Sequence, residues 1–139
     1  LNPDIIPIPD SNSTISHLFK MGQNKTTSLY PIGSLTDKGE GKQLASLYDM
    51  HRQGAIGFGD YKSSLTSGNL LKIALQYVQS FDGIIFSYPL NDEIAESGVM
   101  HEGIISTRIG VKGIPSLAET IQIARDLQRS NALPCAIDR

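Results

Sequence analysis

The stretch GAIGFGDYKSSLTSGNLLKIALQYVQSFDGIIFSY, Gly54–Tyr88, carries the pattern that decides the fold. It opens with GAIGFGD (Gly54–Asp60), a short apolar, glycine-rich run of the kind a strand buried on both faces presents. A polar loop, YKSSLTSG, follows. Leu71, Ala74, Leu75 and Val78 then recur at helical spacing, which predicts a helix from about Asn69 to Phe81 with Ser67 able to cap it. GIIFSY returns to a strand. Strand, helix and strand joined by short connections form a crossover unit, and a crossover unit requires parallel strands.

The same alternation extends outward. On the N-terminal side, LNPDIIPIPDSN has three prolines in its first nine residues and reads as an extended loop. A helix is expected from about Ser13 to Gly22, with Ile15, Leu18, Phe19 and Met21 on its apolar face and Ser13 or Thr14 as its cap. TTSLYPIGSL (Thr26–Leu35) is β-rich, TDKGEGK is a loop, and Leu44, Leu47, Tyr48 and His51 mark a helix from about Lys42 to Gln53. On the C-terminal side, IISTRIGVKGIP reads as irregular. A helix from Leu117 to Arg129 follows, with Ile121, Ala124 and Leu127 facing inward, and ALPCAID (Ala132–Asp138) is a last strand. The fold class is α/β, with about four parallel strands alternating with helices. Such a set makes either a small open sheet or half of an eight-stranded barrel, and periodicity does not choose between them.

Composition removes several classes of function. Twelve basic and 14 acidic residues give a formal net charge of −2, and no basic stripe is present, which argues against nucleic acid as a partner. No run approaches the roughly 18 apolar residues of a membrane span. The N-terminus lacks a secretory signal pattern, and the single cysteine, Cys135, has no partner for an internal disulfide, so a cytoplasmic setting is expected. With 139 residues the chain is one ordinary domain, short of the roughly 250 residues of a whole α/β barrel. It opens on Leu1 rather than Met, as a piece of a longer protein would.

No P-loop, G-x-S-x-G elbow, H-x-H or H-E-x-x-H occurs, and Gly54, Gly57 and Gly59 do not fit G-x-G-x-x-G. The candidates are therefore single residues. Asp60 ends a strand at the edge where parallel α/β folds keep their chemistry, and a carboxylate there can bind a metal, act as a base, or simply make a turn. His101 and Glu102 follow a glycine-containing loop and can contact substrate or close a lid; the plainer alternative is a loop that packs Met100 and exposes the rest. His17 reads as a helix-surface histidine and His51 as a helix-terminal one. Cys135 reads as a buried inert thiol, Arg108 and Lys112 as solvated cations, and Tyr61 and Lys62 as space-fillers beside Asp60.

GVMHEGIISTRIGVKGIPSLAETIQIARD (Gly98–Asp126) resembles dihydroorotases of the bacterial type I group, a branch of the amidohydrolase superfamily. The matching positions are Met100–Gly103, Gly110, Gly113–Pro115, Glu119 and Ile123–Asp126. GAIGFGD also looks like the family's strand that ends in an aspartate, and NPDIIPIPDS looks like a divergent form of its M-P-N-T-x-P loop. The resemblance implies that residues 1–139 form the central segment of a TIM-type (β/α)8 barrel. It implies interconversion of dihydroorotate and carbamoyl aspartate in pyrimidine biosynthesis, with zinc ions turning water into the nucleophile. Half a barrel would expose unpaired edge strands and an apolar inner face, so missing segments or tight association, as a homodimer, are expected. Association with aspartate carbamoyltransferase, as some family members show, is a further expectation of the resemblance.

By the same resemblance Asp60 matches a metal-site carboxylate, whereas other family ligands have no counterpart. Ser87 stands where the family has a metal histidine, and a serine hydroxyl is a poor zinc ligand beside an imidazole. Tyr61 or Lys62 replaces the family's second aspartate. Pro3 or Asp4 lies near the place of a substrate-contacting asparagine. ALPCAID shows no histidine where the family has another, and neither the H-x-H pair nor the later catalytic aspartate falls within the chain. The expectation is a dihydroorotase-like protein of impaired catalysis. The alternatives are an active zinc enzyme with ligands outside residues 1–139, or a non-catalytic structural or small-molecule-binding subunit.

Overall fold

Pro31, Ile56 and Ile84 begin three backbone runs that hydrogen-bond side by side in chain order. Ile56 N donates to Pro31 O (3.0 Å), Gly33 N to Gly57 O (2.9 Å), and Gly59 N to Gly33 O (3.0 Å). Phe58 N donates to Ile84 O (2.9 Å) and Phe86 N to Phe58 O (2.7 Å). The register is Gly33 beside Phe58 beside Ile85, and both pairings are parallel. The molecule is a computed structural model that describes residues 5–23 and 26–131. The fourth expected strand, Ala132–Asp138, and Cys135 within it lie outside the described residues, as do Pro3 and Asp4.

Two compact units divide the chain, Leu1–Tyr88 and Pro89–Arg139. In the first, helices α1 (Asn12–Gly22), α2 (Leu47–Arg52) and α3 (Gly68–Gln79) alternate with the parallel runs. Ile15, Leu35, Leu47, Met50, Ala55, Phe58, Ala74 and Val78 form one buried cluster, with Phe81 and Ile85 packed against it. Side chains alternate across a strand. Phe58 is therefore wholly buried on the helix side, while Ile84 and Phe86 lie on the opposite face, 55% and 46% exposed. Gly57 and Gly59 share that opposite face with Phe86: a Cβ on Gly57 would sit 2.6 Å from the Phe86 ring, and one on Gly59 would sit 2.6 Å from the Phe86 carbonyl oxygen. The glycine-rich run exists because its neighbour lies that close.

Several local expectations are corrected. The first helix is preceded by Ser11, not capped by Ser13 or Thr14, and its N-cap makes no side-chain hydrogen bond. Phe19 and Met21 are exposed, leaving Ile15 as the buried residue of α1. Helix α2 starts at Leu47 rather than near Lys42, because residues 43–45 are held extended. Asp37 N donates to Gln43 O (2.9 Å), Ala45 N donates to Leu35 O (3.1 Å), and Thr36 pairs antiparallel with Leu44. Helix α3 matches its expectation: Leu71, Ala74 and Val78 are buried, and Ser67 Oγ accepts from Leu70 N (3.3 Å).

The second unit contains α4 (Asp92–Ala95), β1 (Met100–His101), α5 (Ile104–Ile109), β2 (Gly113–Ile114) and α6 (Leu117–Asn131). The stretch expected to be irregular holds α5 and β2, and β2 pairs parallel with β1, Met100 beside Gly113 and His101 beside Ile114. Ser106 starts α5 by accepting from Gly103 N (2.9 Å) and donating to Gly103 O (2.8 Å). Gly110, in the left-handed region at φ 69°, ends it. On α6 the inward stripe is also corrected. Ala118 and Gln122 are buried, whereas Ile121, Ala124 and Leu127 are exposed. Ala118 is small enough for close approach, and its carbonyl accepts from Asn91 N (3.0 Å) at the start of α4. That stripe therefore turns inward rather than the more apolar one.

The fold shown is α/β with parallel strand pairing. Among the described residues no helix is long and apolar enough to cross a membrane.

Candidate functional site

Two cavities open where the parallel runs of the first unit end. One, of about 110 Å³, is lined by Ile32, Gly59, Asp60, Phe86, Ser87 and Tyr88. The other, of about 220 Å³, is lined by Ser34, Lys38, Gly39, Asp60, Tyr61 and Ser63 together with isoleucines of the N-terminal segment. Asp60 borders both and is 8% exposed.

The carboxylate of Asp60 faces the end of the neighbouring run. Its Oδ1 accepts from Leu35 N (2.9 Å), Thr36 N (3.1 Å) and the Ser34 hydroxyl (2.8 Å). Its Oδ2 accepts from the Thr36 hydroxyl at 2.5 Å, a short charge-assisted bond. Ser34 also lies 2.7 Å from Thr36 O, so its one proton is shared between two acceptors. Thr36 Oγ1 in turn accepts from Gly41 N (2.9 Å), which ties the loop after the first run into the same network. Ser34 and Thr36 are 1% and 0% exposed, so the hydroxyls that face the carboxylate are buried. Buried polar groups must be paired, and here each of these donors finds the one carboxylate.

His101 and Glu102 belong to the second unit, where both are exposed and Met100 is partly covered. Glu102 N donates to Ile114 O (2.9 Å), so its backbone continues the β1–β2 pairing. Arg108 is exposed, and Lys112 pairs with Glu96 on the surface. The Lys112 ammonium, through a hydrogen bond and its charge, holds the Glu96 carboxyl below the usual glutamate range. His17 is exposed on α1, and the His51 ring lies 5.0 Å from that of Phe81. Tyr61 is 44% exposed beside Asp60, with Lys62 Nζ 4.9 Å from its ring centre. The partners that matter most to Asp60, Ser34 and Thr36, carry no local signature in the sequence. They lie 26 and 24 residues upstream and meet it only through the parallel pairing.

A protein-family model described as dihydro-orotase-like matches residues 3–137. The chain belongs to the dihydro-orotase-like family. It is 35% identical over 125 residues to a dihydroorotase of Pelotomaculum thermopropionicum and 36% identical over 126 residues to one of Syntrophus aciditrophicus. It is 32% identical over 126 residues to a dihydroorotase-like protein of Pseudomonas putida. Each alignment covers 90% of this chain, and the chain spans 29–30% of the length of these relatives.

Zinc, which the dihydro-orotase-like resemblance implies, requires several imidazole, thiolate or carboxylate ligands with lone pairs directed at one point. The described residues do not fit it. Asp60 is a lone carboxylate there, Ser87 stands at the end of the third parallel run, and among the described residues no three His, Cys, Asp or Glu side chains group closely enough to hold a metal ion.

Proposed function

We propose that this chain is the central segment of a dihydroorotase-like (β/α)8 barrel of pyrimidine biosynthesis whose catalysis is impaired. Three parallel runs in chain order, with helices between them, are what consecutive strands of such a barrel supply. The observation that carries the reading is at the strand ends. There the position that matches a family histidine is Ser87, and the position that matches a metal-site carboxylate, Asp60, is committed to four hydrogen bonds from Ser34, Leu35 and Thr36. The cavities bordering Asp60 still suit a small, dihydroorotate-sized ligand, so binding without turnover is the expected behaviour. A non-catalytic role beside aspartate carbamoyltransferase, in a homodimer and in the cytoplasm, belongs to the same proposal.

The direct test is turnover by the full-length protein. With dihydroorotate, or with carbamoyl aspartate in the reverse direction, the rate should not exceed that of the uncatalysed reaction even after incubation with zinc. Zinc-dependent turnover would instead establish the second reading, an active dihydroorotase whose ligands come from outside residues 1–139. That reading is favoured by the relatives that are dihydroorotases, of whose length the chain spans 29–30%.

A further inference from the structure

The network around Asp60 does more than satisfy a buried charge. Between Thr36 and Leu44, which pair antiparallel, the chain makes a loop with a single 3₁₀ turn at Asp37–Gly39. Lys38 and Gly39 of that turn wall the cavity of about 220 Å³. Among the described residues, two side chains outside the loop reach it. Asp10 Oδ2 accepts from Lys38 N (3.3 Å), a long contact at an exposed place. The other connection runs inward: Gly41 N donates to Thr36 Oγ1 in a part-buried bond, and Thr36 Oγ1 donates to Asp60 Oδ2 in a buried one. The remaining tethers lie within the loop or on its stem, such as Gln43 Nε2 to Asp37 Oδ2 (3.1 Å) and Lys42 Nζ to Glu40 Oε2 (2.8 Å), both exposed.

We propose that Asp60 is a positioning residue, which acts through the Thr36 hydroxyl to fix the 37–43 loop and thereby the Lys38 wall of the cavity. The hydroxyl passes its proton toward the carboxylate, which leaves its lone pairs turned toward the Gly41 amide. The carboxylate thus sets the direction of the whole relay. An apolar residue at position 36 would preserve the strand pairing but sever the relay, whereas serine would preserve both. The proposal holds whether or not the full-length protein turns over dihydroorotate, because it concerns the shape of the cavity wall and not the chemistry within it.

Amide hydrogen exchange on the full-length protein tests this. In Thr36→Val and in Asp60→Asn, Gly41 N–H should exchange at least ~10-fold faster than in the wild type, as expected for loss of a net hydrogen bond of ordinary strength. Phe58 and Phe86 amides, which belong to the parallel pairing, should keep their protection. Thr36→Ser should keep Gly41 protected. Gly41 exchange unchanged in Thr36→Val would overturn the proposal, and so would equal loss of protection in Thr36→Ser and Thr36→Val. Should Asp60→Asn fail to fold, the comparison of valine and serine at position 36 decides the matter alone.

Discussion

Gly59 carries no side chain because the Phe86 carbonyl oxygen occupies the place where a Cβ would go, at 2.6 Å. Gly57 faces the Phe86 ring at the same distance, and a ring can turn where a backbone carbonyl cannot. Gly59→Ala should therefore destabilise the protein by ~1–3 kcal/mol, the usual cost of overpacking, and Gly57→Ala by less, as read from denaturant unfolding. Asp60 is the other residue whose replacement should be severe. Alanine there leaves the buried Leu35 and Thr36 amides and the Thr36 hydroxyl short of their acceptor, while the Ser34 hydroxyl keeps Thr36 O, and each buried unsatisfied group costs ~1–3 kcal/mol. Loss of ~3 kcal/mol or more is expected for Asp60→Ala. The Lys112–Glu96 pair is the counter-example. The depressed Glu96 carboxyl contributes stability above the ordinary glutamate range, and that contribution is lost as pH falls through the folded-state value. Both side chains are largely in solvent, so Lys112→Ala should leave the melting temperature at pH 7 and about 0.15 M salt unchanged.

At the scale of elements, α3 is the helix that sequence reading describes best. Its apolar spacing, its start and its Ser67 cap all reappear. Local chemistry decides each of these, so a single sequence contains them. Ser67→Ala should cost ~1 kcal/mol, seen as a lower unfolding midpoint with no change in the slope of the denaturant curve. Helix α2 shows why other boundaries were not legible. Leu44 and Leu47 are compatible with one helix, yet residues 43–45 are drawn into pairing with 35–37, a contact across the loop that spacing does not encode. On α6 the richer apolar stripe was expected inside. Close approach of α4 to Ala118 buries the other stripe, and leaves Ile121 and Leu127 42% and 56% exposed. The fit between helices, rather than hydrophobicity along one of them, chose the face.

For the molecule as a whole, the order of the three parallel runs was legible because strict alternation with short connections leaves few topologies. The place of Asp60 at a strand end followed from the same order. Its bonding did not, since Ser34 and Thr36 become its neighbours only when the first two runs align. The open face of the parallel runs, with Ile84 and Phe86 more than 40% exposed, fits a segment of a larger barrel. The central proposal is that the strand-end carboxylate holds the fold and does not serve a zinc ion. Metal analysis of the full-length protein, purified after zinc loading and desalting, tests it most directly when wild type and Asp60→Asn are compared. The account predicts equal zinc content in the two proteins. A stoichiometric zinc ion in the wild type that is missing from a folded Asp60→Asn protein would contradict it.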